Sequence, residues 1–321
     1  MRMSDVAKLA GVSKSTVSRV LNQSEHTTEE TRNKVYQAIE KTGYKVNMVA
    51  RSLTKSESRT IGFLVPTSDD EITYKLIHKI EQILTTLSYR IIICHTHYDY
   101  EKEKSYLESL IQNHVDGLII LTSTTNAELY KTIDKPAILF DQYVTGGPIT
   151  ITSDHFYGGY IAAKKLNDKN AFDVLVVSHS NSDVAYQERI NGFKKAAEED
   201  HMNIDIISCG DTYEKCFKDI VKAFKIKTFT GIFATNDLLA AYALKASASL
   251  GFQVPKDIKI IGYGDTKISE ITSPSLTTIS QNIDTLAETT VSHLIASIQK
   301  KPIKKRFIIL PIKMIEKEST Q

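Results

Sequence analysis

Between Ile61 and Gly264, short apolar runs alternate with longer amphipathic stretches, and that alternation limits the chain to few folds. The first series of apolar runs is 61–65 (IGFLV), 90–96 (RIIICHT), 117–121 (GLIIL), 137–141 (AILFD) and 149–153 (ITITS). The second is 173–179 (DVLVVSH), 204–209 (IDIISC), 231–235 (GIFAT) and 258–264 (IKIIGYG). Helix-period stretches separate them, over 72–88, 100–114, 126–133 and 157–168, then 184–201, 213–224 and 237–250. Compact apolar strands joined by helices form parallel sheets with both faces covered, because each crossover helix must lie on a face. Two series predict two doubly wound lobes. Ligands of such sheets sit beyond the carboxyl ends of the strands, so two facing lobes make a cleft. LTTISQ at 276–281, a helix over 283–299 and FIILPIKMI at 307–315 complete the chain.

At 321 residues, 41% of them hydrophobic, the chain can bury a large core and suits two or three domains. It has no run of about 18 apolar residues, so no membrane span is expected. It shows no apolar signal-peptide core, so a cytoplasmic location is expected. Cys94, Cys209 and Cys216 lie in unlike contexts without CxxC or Cys/His metal spacing, which predicts reduced thiols. Neither metal nor cofactor is expected. GxxxxGK[ST], GxSxG and HExxH are missing, as is GxGxxG after a strand. The nine histidines are scattered, and the closest pair, His95 and His97, stands at alternate positions of a strand end. Without a nucleophile and base, the lobes read as a binding module rather than an enzyme. A sugar-acting enzyme with a DNA-binding head is the remote alternative.

Met3 to Asn22, MSDVAKLAGVSKSTVSRVLN, reads as two short helices joined by a tight turn. Val6, Leu9 and Ala10 form an apolar stripe on the first. Gly11 takes the left-handed conformation that ends it, and Ser13 caps the second by accepting from a free backbone N–H. Val17, Val20 and Leu21 recur at helical spacing and face inward, leaving Lys14, Ser15, Thr16, Ser18, Arg19 and Asn22 for the other faces. A helix packed on its apolar side, with short donors and a cation outward, suits a major groove, where base edges carry a readable code. The plain alternative is a helical hairpin with a solvated face. Hydroxyl-rich segments are poor helix formers, however, and need a reason.

Charge supports a nucleic-acid partner. The chain is +2 overall, but residues 1–60 hold eleven Lys/Arg against six Asp/Glu, which is +5 and leaves −3 for the rest. A polyanion is therefore expected at the first segment only. Thr27-Thr28-Glu29-Glu30 reads as a capping box with Thr27 as the cap. The helix after it turns Val35, Ala38 and Ile39 inward and ends at Gly43, closing a three-helix core. Asn47 can cap one or two turns reaching Leu53, before the polar stretch TKSESRT. Two readings of that segment stand: a frayed linker helix, or a helix that orders on DNA with Leu53 wedged between minor-groove base steps.

The strand ends carry Asp141-Gln142, Ser153-Asp154-His155-Phe156-Tyr157, Asn236-Asp237, Gly264-Asp265 and Gln281, and Arg189 lies early in a helix after a strand. Carboxylates, amides and a guanidinium match paired hydroxyls, and an aromatic ring covers an apolar sugar face. Asp141, Asp154 and Asp237 stand at strand-to-helix turns, where Asp is a common cap. Their convergence on one side of both sheets favours a site. With Asp141, Asp154 and Asp265 facing it and Arg189 as its cation, the cleft is expected to be net negative. That favours a neutral sugar over a sugar phosphate.

DVAKLAGVSKSTVSRVLN at 5–22, VNMVARSL at 46–53, IGFLVP at 61–66 and VDGLII at 115–120 follow one another in a recognisable order. SDHFYGGYIAAKKL at 153–166, RINGF at 189–193, TNDLLA at 235–240, IIGYGD at 260–265 and LTTISQ at 276–281 continue it. Together these blocks resemble the lac repressor family (LacI/GalR) of bacterial transcription regulators along nearly the whole chain. The resemblance implies an α/β chain: a three-helix helix-turn-helix head with a hinge helix, then two doubly wound parallel-sheet lobes of the periplasmic-binding-protein type. It places the DNA-binding domain at 1–46, the hinge and linker at 47–59, and the effector-binding and dimerisation domain at 60–321. The lobes would be 60–160 plus 291–321, and 161–290.

The same resemblance implies that Lys14, Ser15 and Arg19 read base edges, with Ser4, Ser13, Thr16, Ser18, Asn22 and His26 at phosphates. Asn47 would cap the hinge helix and Leu53 would enter the minor groove. Arg189, Asn236 and Gln281 match effector contacts. The chain departs from the family pattern at Val46, where a proline is usual, and at TSDDEIT (67–73), where Tyr74 would supply the missing aromatic contact. It departs again at Gln142, where an Arg is usual, and at Gly264-Asp265, where two acids are usual. The candidate effector site is thus Tyr74, Asp141, Asp154, Phe156, Arg189, Asn236, Asp265 and Gln281. The expected function is sequence-specific repression of a carbohydrate-utilisation operon. Its partners would be a pseudo-palindromic operator duplex, a small sugar, and a second copy or three. FDQY and ITSDHFYGG with LTTISQ look most like sucrose operon repressors, so a sucrose- or fructose-type sugar is expected. Control by a protein co-repressor or a sugar phosphate is the alternative.

Overall fold

The structure is a computed structural model, and it describes residues 3–21, 27–44, 57–67, 70–121, 127–179, 184–210 and 212–321. The chain divides into two compact units, Met1–Ser58 and Arg59–Gln321.

The first unit holds α1 (Met3–Ala10), α2 (Lys14–Leu21) and α3 (Glu29–Thr42). Gly11 adopts φ +65° after α1, a left-handed turn that is cheap only for glycine. Ser13 Oγ then accepts from Thr16 N at 3.1 Å and caps α2. The cap of α3 is Thr28, which accepts from Thr31 N, and not Thr27 as expected. Thr27 Oγ1 instead takes the Arg32 Nε hydrogen. Val6, Ala7, Val17, Val20, Val35 and Ala38 form the core. Leu9, expected inward, is 55% exposed, because Ala7 occupies the core-facing turn in its place. Asn22, His26 and the hinge residues Asn47 and Leu53 lie outside the described residues.

In the second unit the first sheet contains β1 (Thr60–Val65), β2 (Arg90–His95), β3 (Gly117–Ile120), β4 (Ala137–Phe140), β5 (Ile149–Ser153) and β11 (Phe307–Leu310). Their order is β11-β5-β4-β3-β1-β2, and every pairing is parallel. The helices α4 (Glu71–Thr86) and α12 (Ile283–Ile298) cover one face; α5 (Tyr100–Gln112) and α6 (Ala127–Lys131) cover the other. Both faces of β1 are therefore dry, and all six of its residues are buried.

The second sheet is β7 (Asn203–Cys209), β6 (Asp173–His179), β8 (Gly231–Ala234) and β9 (Lys259–Ile261), again all parallel. One face packs α7 (His155–Asp168) and α8 (Val184–Glu199); the other packs α9 (Tyr213–Ile226) and α10 (Asp237–Ser249). A short helix, α11 (Lys267–Ile271), follows β9. Then β10 (Thr278–Ser280) pairs antiparallel with β12 (Lys313–Ile315).

The chain crosses between lobes near 154, 281 and 311, between elements that pack on different cores. The expected boundaries at 160/161 and 290/291 fall inside α7 and α12. Each helix packs whole, α7 on the second core and α12 on the first, since dividing an amphipathic helix would expose half its apolar face. The C-terminus also departs from the expected grouping: Ile312 and Met314 pack on the second core, and Ser319 Oγ donates to Ile260 O at 2.6 Å.

Candidate functional site

On α2, Val17 and Val20 point into the head's core, so helical geometry turns Ser15, Ser18 and Arg19 to the opposite face, with Lys14 on its flank. Lys14, Ser15 and Arg19 are exposed. Ser13 Oγ lies 2.7 Å from Ser15 Oγ and 2.8 Å from Thr16 Oγ1, a hydroxyl cluster at the start of the helix. Ser4, the second residue of α1, is half-buried. This surface combines a fork-shaped cation, a point cation and short donors, which is what reading of base edges and phosphates needs.

In the second unit the cleft chemistry depends on two glycines. Gly159 of α7 lies against the carbonyl of Arg189, and Gly192 of α8 against the carbonyl of Phe156; neither position has room for a Cβ. The two helices therefore cross backbone to backbone, which brings the first residue of α7, His155, against Arg189. Arg189 Nε donates to His155 Nδ1 at 3.3 Å, and its Nη1 donates to Thr235 O at 2.6 Å. Because a guanidinium only donates, Nδ1 is the accepting nitrogen, and Nε2 carries the hydrogen toward Asp141 Oδ1 at 3.1 Å. The Arg189 guanidinium also lies 3.8 Å over the Tyr263 ring and 4.8 Å from that of Tyr186. Asn236 Nδ2 reaches Tyr186 Oη at 3.4 Å.

The result is one continuous chain of contacts, Asp141–His155–Arg189–Tyr186–Asn236. Asp141, after β4 at φ +58°, belongs to the first lobe, and the others to the second. Thr152 Oγ1 gives Asp141 a further bond at 2.8 Å. Burial pushes the Asp141 carboxyl up, but His155, Thr152 and Arg189 outweigh it and hold its pKa below the ordinary carboxylate value. Burial pushes the Tyr263 phenol up to about 12, helped by Asp141 and opposed by Arg189, so it stays a neutral hydroxyl.

The remaining candidates play other parts. Asp154 caps α7, accepting from Tyr157 N at 3.0 Å. Asp265, at φ +53°, pairs with Lys317 at 3.2 Å. Of the three acids expected to make the cleft net negative, Asp141 faces Arg189 through His155 and Asp265 pairs with Lys317, while Asp154 serves as the cap of α7. Asn236 Oδ1 caps α10 through Leu239 N at 2.8 Å. Gln281 is buried directly after β10. Tyr74 is 59% exposed in the first turn of α4 and stacks on His78, while Phe156 is 40% exposed on α7. Nearby, Asp237 is buried and accepts from Thr266 N, Thr266 Oγ1 and Thr278 Oγ1. Its burial raises its pKa against those bonds.

Sequence reasoning named His155 only within the strand-end run, without its bridging role, and gave Tyr263 and Lys317 no part in the site. His155 was hidden beside an obvious cap, and Lys317 lies 52 residues from Asp265. The glycine pair 159 and 192 was the available signal.

A head of three helices and two parallel-sheet lobes with a polar cleft is the architecture of a ligand-responsive DNA-binding regulator. Residues 2–47 match the bacterial regulatory proteins, lacI family, and residues 165–320 match the periplasmic binding protein-like domain. The ribose operon repressor of Halalkalibacterium halodurans is 32% identical over 320 residues, spanning 99% of this chain and 96% of that one. The lac repressor dimer bound to operator and the anti-inducer ONPF is 26% identical with a TM-score of 0.90, covering 100% of this chain and 99% of that one. A periplasmic binding protein/LacI transcriptional regulator from Alkaliphilus metalliredigens, complexed with D-xylulofuranose, is 32% identical with a TM-score of 0.73, covering 82% of this chain and 99% of that one. The chain belongs to the lacI family of bacterial regulatory proteins. It is a DNA-binding repressor with a small-molecule effector.

Proposed function

We infer that the chain represses a carbohydrate-utilisation operon as a homodimer, and that a neutral sugar of the fructose type, free or within sucrose, controls it. Residues 1–46 would be the DNA-binding head, 47–59 the hinge and 60–321 the effector and dimer domain. Lys14, Ser15 and Arg19 would read base edges, while Asp141, Arg189, Asn236 and Gln281 hold hydroxyls and Tyr74 and Phe156 cover the sugar. The observation that carries this reading is the Asp141–His155–Arg189 chain, in which a carboxylate already answers the Arg189 guanidinium through a bridging imidazole. A phosphate needs surplus cations or free helix N–H groups, whereas a neutral polyol needs directional donors and acceptors. The relative complexed with D-xylulofuranose supports a furanose-sized ligand. Dimerisation is supported by β2, an edge strand that exposes Ile92 and Ile93. Exchange between apo and sugar-bound lobe arrangements would then alter the spacing of paired heads, linking sugar and DNA binding.

Isothermal titration of the full chain with fructose, sucrose, ribose and their phosphates tests the assignment. Binding of a neutral sugar, lost in Arg189→Ala with operator affinity intact, is the expected result. Binding of phosphates alone would overturn it.

A further inference from the structure

Residues 300–306, KKPIKKR, hold five cations and no acid. The rest of the sequence makes this unusual: residues 61–321 carry −3, so without these five charges they would carry −8. The run joins the end of α12 to the start of β11. Since the first sheet is all parallel and its ligand cleft lies at the carboxyl ends, the run sits at the amino ends, on the side away from the cleft. The chain coming from the head arrives at that same side, at Arg59 and Thr60 before β1. Four strand spacings separate β11 from β1, about 20 Å at about 4.8 Å each.

All five side chains are exposed, and among the described residues none has an ion pair. Arg306 is held in place by its bond to Gly147 O at 2.7 Å. Lys300 and Arg306 line a hollow of about 350 Å³ together with Lys135, and Asp134 is the acid among its lining residues. A net-acidic domain thus concentrates unpaired cations on the side to which its DNA-binding head is tethered.

We propose that this run is a second DNA-contacting surface, binding backbone phosphates of the duplex flanking the segment held by the heads. It rests on the family's DNA binding and adds a contact outside the helix-turn-helix. Lysines spread along a loop recognise charge spacing rather than base edges, so the contact is sequence-independent and salt-sensitive.

The test compares the full chain with K300Q/K301Q/K304Q/K305Q on mixed-sequence duplexes of about 20 and about 60 base pairs, the shorter matching two half-sites. Affinity is measured by fluorescence anisotropy across a salt series. The variant should lose about tenfold or more on the long duplex alone, with a salt slope shallower by about 0.9 per lost contact. The charge-preserving K304R/K305R should restore binding relative to K304Q/K305Q, and K222Q/K225Q, on α9 of the other lobe, should behave as wild type. Equal losses on both duplexes, or none on either, would overturn the proposal. Wild-type protein that bound neither duplex would instead remove the DNA-binding reading itself. The pair K304Q/K305Q serves if the quadruple variant does not fold.

Discussion

Gly192→Ala separates helix propensity from helix packing, because the two predict opposite signs. Inside α8, alanine in place of glycine stabilises an exposed helix by about 1 kcal/mol. Here the added Cβ would meet the Phe156 carbonyl, which is backbone and cannot rotate away. Helices α7 and α8 must separate by something on the order of an ångström, and overpacking of this kind costs about 1–3 kcal/mol. A rigid obstacle puts the cost at the upper end, so the net effect is about 2 kcal/mol of destabilisation. For a domain of this size that lowers the Tm by about 4–8 °C. The separation also opens the 3.3 Å contact between Arg189 Nε and His155 Nδ1, one helical turn away, so the sugar response should weaken with stability. Gly159→Ala meets the Arg189 carbonyl from the other side and should behave alike. Differential scanning calorimetry of the full chain, alongside sugar titration, makes the measurement. An unchanged or raised Tm would show that the crossing tolerates a side chain, and the account of how His155 meets Arg189 would fail.

Two further outcomes follow from the head and from Asp141. Arg19→Ala should weaken operator binding by about 1–3 kcal/mol and random-duplex binding by less, if the guanidinium reads a base; equal losses in an anisotropy titration would assign Arg19 to phosphate instead. The folded-state pKa of Asp141 lies below its ordinary value, so its contribution is present above the unfolded pKa and disappears as pH falls through the folded one. Asp141→Asn should therefore flatten the acid limb of the Tm profile below about pH 4, and an unchanged limb would refute this.

Much of the fold was legible because burial leaves a direct trace in sequence. A strand covered on both faces is a continuous apolar run, and β1, β3, β4 and β8 are buried at every position as their composition implies. The turn of the head was equally local: Gly11, Ser13 and Gly43 act through their own backbone or a group three residues away. Errors arose where neighbouring residues compete for one local role. Thr27 and Thr28 offer the same hydroxyl; Thr28 accepts from Thr31 N, while Thr27 is taken up by the Arg32 side chain. Leu9 and Ala7 both fit a helical stripe, and packing against α3 chose the smaller one.

Periodicity and caps, then, determined the class of fold, the two-lobed plan and the outward face of α2, since each depends on contacts a few residues apart. Tertiary structure alone decided how the cleft is wired. Asp141, His155, Arg189 and Tyr263 lie on four separate elements, and their charges match only because two glycine faces let α7 and α8 touch. Asp265 likewise meets Lys317 only after β12 returns to pair with β10. Long-range electrostatic partners leave no periodic trace, because a charge is neutralised by whatever the fold brings near it, at any distance along the chain.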